Sequence, residues 1–152
     1  MLRDIDIIDR TVSILLIEDD NGDARAVERA LRKERVGNPL FRVADGVEAL
    51  EVLRGQHKEI QLTPARLLLV DLNMPRMGGL ELIQQIRADS ELHREIVFVL
   101  TTSSSDTDIL AAYDLNIAGY ITKQRAGADF VNLVGILDFY WRIIEFPVRT
   151  DV

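Results

Sequence analysis

The chain has 152 residues, 47% hydrophobic and 28% charged, which suits a single soluble domain with a substantial core. Eighteen Lys and Arg face 25 Asp and Glu, a net charge of −7, and this excludes a general nucleic-acid binder, which needs a basic face. Cysteine is absent, so disulfides, thiolate chemistry and Cys-ligated zinc are excluded as well.

Residues 1–11 form an N-terminal extension whose apolar residues are interrupted by Arg3, Asp4, Asp6, Asp9 and Arg10. It reads as neither a signal peptide nor a membrane span, and no run elsewhere approaches the ~18 apolar residues of a span. The expectation is a cytoplasmic protein with no membrane partner. The first strand falls at 13–17 (SILLI) and is followed by a helical pattern over 21–35. Its inner face is Ala24, Val27, Ala30 and Leu31, with Asn21 or Asp23 placed to cap it. The run VGNP at 36–39 is a stop and turn. A weak strand follows at 40–44, then a helix built on Val47, Leu50 and Leu53 and a long loop over 55–65, where a local bend is expected. The remaining pattern is strand 67–70, helix 80–87, strand 96–100, helix 106–115, strand 118–121 and a last helix over 128–145. His57 and His93 stand apart in polar contexts and suggest no metal spacing.

Five strands alternate with five helices. Unbroken apolar runs such as LLLV at 67–70 are expected where helices cover both faces of a parallel sheet. The predicted fold is therefore α/β, a doubly wound (βα)5 three-layer sandwich. In such sheets ligands bind beyond the carboxyl ends of the strands, so the residues just after each strand matter most. Those residues are Glu18, Asp19 and Asp20 after the first strand, Asp71 and Asn73 after the third, Thr101 after the fourth and Thr122–Lys123 after the fifth. Singly each is ordinary: an acid there is often the N-cap of the next helix, and a lysine is usually solvated. Together they gather carboxylates, a hydroxyl and an ammonium at one sheet edge. Clustered carboxylates repel unless a cation is present, and Mg²⁺ accepts such a set together with water and a phosphoryl oxygen. An Asp carboxylate can also be a phosphoryl acceptor, with a lysine and a hydroxyl donor suited to the charge that develops.

The blocks ILLIEDDNGDAR, LLLVDLNMPRMGG, FVLTTSSSD and AGYITK resemble the successive signatures of the response-regulator receiver domain (CheY-like), from about residue 12 to 146. LNMPR, LTTS and a tail of the form FYW…FP are similar to single-domain regulators associated with bacterial and cyanobacterial phytochromes. The resemblance implies a five-stranded parallel sheet in the order 2-1-3-4-5, with 147–152 as a C-terminal tail. It implies a two-component phosphorelay role and no turnover of an external metabolite: Asp71 accepts a phosphoryl group from a sensor histidine kinase, in a Mg²⁺-dependent reaction. Asp19, Asp71 and the backbone carbonyl of Asn73 would ligate the metal, with Glu18 acting through water. Thr101 and Lys123 would hold phosphoryl oxygens, and Tyr120 would switch as Thr101 moves.

Two positions depart from the family pattern. Gln124 stands where Pro usually follows the lysine in a cis bond, so a trans or strained peptide is expected. Thr102 is bulkier than is common there and is expected to narrow access to the acceptor.

In the last helix the apolar residues extend well beyond one stripe. Phe139, Tyr140, Ile143, Phe146 and Pro147 are therefore expected to form a homodimer or partner surface. No output module is evident in the few residues after Pro147, so signalling through protein contacts is expected. A phosphorylation-silent receiver acting only as an interaction module is the alternative. A haloacid-dehalogenase-like phosphohydrolase would want an acid where Asn73 stands, and a flavodoxin-like carrier would not place the acidic EDDNGD where a phosphate loop belongs.

Overall fold

The computed structural model of the protein describes residues 11–33 and 37–147. The extension before residue 11, the end of the first predicted helix at 34–35 and the tail after Pro147 lie outside the described residues. Strands β1 (Val12–Ile17), β2 (Leu40–Val43), β3 (Ala65–Val70), β4 (Ile96–Thr101) and β5 (Gly119–Thr122) alternate with helices α1 (Asn21–Lys33), α2 (Gly46–Leu53), α3 (Gly79–Ala88), α4 (Asp106–Asp114) and α5 (Val131–Ile143). All strand pairs are parallel, in the expected order β2-β1-β3-β4-β5.

The period-2 geometry of the strands explains why their runs are continuously apolar. Leu15, Ile17, Leu68, Val70, Val97 and Val99 face one core, packed by Leu50 and Leu53 of α2 and Leu82, Ile83 and Ile86 of α3. Their alternates Ile14, Leu16, Leu67, Leu69, Phe98 and Leu100 face the other, packed by Val27 and Leu31 of α1 and Leu133, Val134 and Leu137 of α5. Each such side chain contributes roughly 1.5–3 kcal/mol by burial, so the two-sided sheet is the main source of stability.

The register aligns the functional ends. Ile17 pairs with both Val43 and Val70, and Thr101 pairs with Thr122. The next residues of β1, β3 and β5 therefore emerge at one edge, beside Thr101.

Several local expectations need correction. Asp20, not Asn21 or Asp23, caps α1: its Oδ1 accepts the Asp23 N–H at 2.8 Å. The last helix is split. A 3-10 turn spans Ala128–Phe130, and Asp129 and Phe130 take left-handed φ of 55° and 57°, so α5 begins only at Val131 and ends at Ile143. Apolar periodicity runs through this kink because Phe130 itself is buried. The long loop after α2 does bend locally, with the His57 ring accepting the Glu59 and Ile60 N–H groups at 3.1 Å.

Candidate functional site

Four strands deliver the site. Beyond β1 the buried Glu18 is followed by the exposed Asp19 and Asp20. Asp71 follows the central strand β3, where its N–H donates to the Ile17 carbonyl at 3.0 Å, so the acceptor candidate is fixed by the sheet ladder itself. One oxygen each of Glu18, Asp19 and Asp71 lies within 4.8 Å of the others. Thr101, the last residue of β4, is fully buried, and its carbonyl accepts the Lys123 N–H at 2.8 Å.

The Lys123 ammonium sits among the acids. It is 2.6 Å from Glu18 Oε1, 2.7 Å from Asp23 Oδ2 and 3.2 Å from Asp71 Oδ2. Sequence reasoning missed Asp23 as a partner. It belongs to the first turn of α1, and only the angle at which α1 leaves β1 brings it to a lysine one hundred residues away.

Electrostatics follow from this crowding. Burial pushes the Glu18 carboxyl up to about 7, opposed by the Lys123 hydrogen bond and reinforced by the charge of Asp71. Burial also works against the Lys123 charge, but Asp23, Glu18 and Asp71 outweigh it and hold the ammonium above its ordinary range. The donor set is hard and oxygen-only with too little positive charge to balance it, which is the chemistry that a Mg²⁺-type ion fits.

The surrounding loops are tied down. The Asn73 N–H donates to Asp71 Oδ1 at 3.3 Å, holding the backbone beyond the acceptor. Gly79 packs so closely that a Cβ there would collide with the Asp71 carbonyl and the Leu72 backbone, so the second glycine of the GG in the second block is a steric requirement of the site. Arg76, at a left-handed φ of 62°, donates to Asp45 at 2.8 and 3.1 Å and clamps the loop after β2 to the loop after β3. Arg42 donates to the Glu18 carbonyl and to Asn21, each at 2.8 Å.

Tyr120 packs against the α3-side core and donates its hydroxyl to the Ser103 carbonyl at 2.9 Å, so it touches the loop that Thr101 opens. Thr102 is exposed. No cis peptide occurs among the described residues, so Lys123–Gln124 is trans. Of the proposed partner surface, Phe139 and Ile143 are 73% and 79% exposed and Pro147 is exposed. Tyr140 turns inward, edge-on to Phe98 at 4.9 Å between ring centroids, and Phe146 packs on the same core. Those two are half-buried and serve the core as well as the surface.

A parallel five-stranded sheet with this acid–hydroxyl–lysine edge is the architecture of a receiver domain, and the family model of the response regulator receiver domain matches residues 14–134. The chain belongs to that family, and it is accordingly a signalling module of two-component systems and not a turnover enzyme. It is similar to response regulator Rcp1 of Synechocystis sp., with 34% identity over 135 residues that cover 88% of this chain and 92% of the relative. Among solved structures, the Mn²⁺-bound form of Rcp1 is 33% identical with a TM-score of 0.77, over 91% of this chain and 99% of that one. The phosphorylated cyanobacterial phytochrome response regulator RcpA is 34% identical with a TM-score of 0.78, over 90% and 99%. The likeness to phytochrome-associated regulators expected from LNMPR, LTTS and FYW…FP is therefore present. No described helix is long and apolar enough to cross a membrane.

Proposed function

We propose that this chain is a single-domain response regulator whose Asp71 accepts a phosphoryl group from a histidine kinase, with 12–146 as the receiver unit. The observation that carries the reading is Asp71 itself: a carboxylate fixed at the end of the central strand, grouped with Glu18 and Asp19 and 3.2 Å from the Lys123 ammonium. In the transfer, an Asp71 oxygen attacks phosphorus in line, the O–P bond forms as the P–N bond of a phosphohistidine breaks, and the imidazole leaves with the electron pair. Lys123 and the Thr101 hydroxyl are the groups that hold the equatorial oxygens. Mg²⁺ bound to Asp19, Asp71 and the Asn73 carbonyl, with Glu18 through water, would neutralise phosphoryl charge.

The conformational readout runs through Thr101 and Tyr120. A Thr101 hydroxyl drawn toward a phosphoryl oxygen shifts the loop at Ser103, which the Tyr120 hydroxyl already grips. The similarity to phytochrome regulators supports a phytochrome-type kinase as donor. Phe139 and Ile143, exposed one turn apart on α5, support a homodimer through that helix, with Pro147 at its margin. Incubation with a phosphorylated histidine kinase and Mg²⁺ tests the reading. Label is expected in the wild type and absent from Asp71→Asn, whereas equal labelling of both would overturn it.

A further inference from the structure

We infer that Asp23 is a positioning residue that holds Lys123 in the resting site and must release it for the phosphorylated state to form. The inference rests on Asp71 being the phosphoryl acceptor. An ammonium has three donor directions, and here Glu18 at 2.6 Å, Asp23 at 2.7 Å and Asp71 at 3.2 Å occupy them. A phosphoryl group arriving on Asp71 adds strongly accepting oxygens, so Lys123 can reach one only by giving up a present partner.

The three partners are not equivalent. The side chains of Glu18 and Asp71 are 2% and 9% exposed and belong to the triad whose oxygens lie within 4.8 Å, where a carboxylate left without a cation is costly. Asp23 reaches Lys123 from α1, and its side chain is 37% exposed. Water and the positive end of the α1 dipole can hold its charge without the lysine. Asp23 is therefore the partner that yields, and its pairing with Lys123 opposes phosphorylation by the strength of one partly exposed ion pair. The short distance from Asp23 makes it a brake on the site and not an aid to transfer.

The test compares initial phosphorylation by acetyl phosphate in saturating Mg²⁺, read by intact mass, in the full chain. Asp23→Asn is expected to react about threefold faster than wild type, the scale of one such pair. Asp23→Glu is expected to return the rate to near the wild-type value. In a Lys123→Ala background, followed over the longer incubation that loss of the lysine demands, Asp23→Asn is expected to change nothing. A merely structural role for Asp23 would give a slower variant, never a faster one. An unchanged or slower Asp23→Asn overturns the inference while leaving Asp71 as acceptor. An equal gain in the Lys123→Ala background also overturns it, because general charge repulsion would then explain the effect. Failure of the wild type itself to gain a phosphoryl group overturns both the acceptor assignment and the inference.

Discussion

The two ends of the sheet treat buried charge in opposite ways. At the amino end, the Arg66 guanidinium donates to the fully buried Glu95 carboxylate through three hydrogen bonds of 2.7 to 3.2 Å, and the Arg87 charge also acts on it. Nearby, the Arg87 guanidinium donates to the carbonyls of Leu115, His93, Glu95 and Asn116, all at 3.0 Å or less, and so ties α3 to the two segments that precede β4 and β5. At the carboxyl end, one lysine serves Glu18, Asp23 and Asp71, with Asp19 close by. The first arrangement is complete and holds structure. The second has acids in excess and is completed only by a cation and, on our reading, a phosphoryl group. The same fold thus stores stability at one edge and reactivity at the other.

The comparison is most sharply tested by removing charge at each end. Glu95→Gln takes the paired charge from the largely covered Arg66 guanidinium and is expected to cost about 3 kcal/mol in chemical denaturation. A loss under 1 kcal/mol would mean that the amino end is not the structural anchor described.

The next effect concerns pH. Because the Glu18 carboxyl rises in the folded protein from 4.5 to about 7, its contribution is complete below its unfolded value and is lost as pH climbs through 7. Metal-free protein should therefore lose on the order of 2–3 kcal/mol of stability between about pH 4.5 and 8. Lys123, raised above its ordinary range, stays charged throughout that window. Saturating Mg²⁺ at pH 8 should restore about as much, and Glu18→Gln should flatten the metal-free slope. A metal-free stability that does not fall with pH would contradict the excess of acid at this edge.

The smallest effect on folding is expected on α5. Phe139→Ser with Ile143→Ser removes exposed apolar surface, so stability should stay within about 0.5 kcal/mol. Sedimentation at tens of micromolar should nevertheless shift from dimer to monomer. A wild type that sediments as a monomer would remove the dimer from the account.

How much of this the sequence revealed depended on the range of the interaction. Asp71, Thr101 and Lys123 could be placed because strand period and parallel pairing bring strand ends together whatever the side chains in between. Asp23 could not, since its partner is set by the path of a helix and not by any spacing along the chain. The kink at Asp129–Phe130 was hidden because no glycine or proline marks those two positions, only Gly127 before them. The half-buried packing of Tyr140 was not legible for another reason: periodicity counts apolar residues round a helix but does not say which of them finds a ring such as Phe98 to pack on.

The central claim is that Asp71, and no other acid in this crowded edge, carries the phosphoryl group. Reduction of acetyl-phosphate-treated protein with borohydride converts an aspartyl phosphate to homoserine, and peptide mass mapping then locates it. Homoserine is expected at position 71 in the presence of Mg²⁺ and none with a chelator. Modification at Glu18, Asp19 or Asp23, or none under conditions where the folded protein binds Mg²⁺, would contradict it.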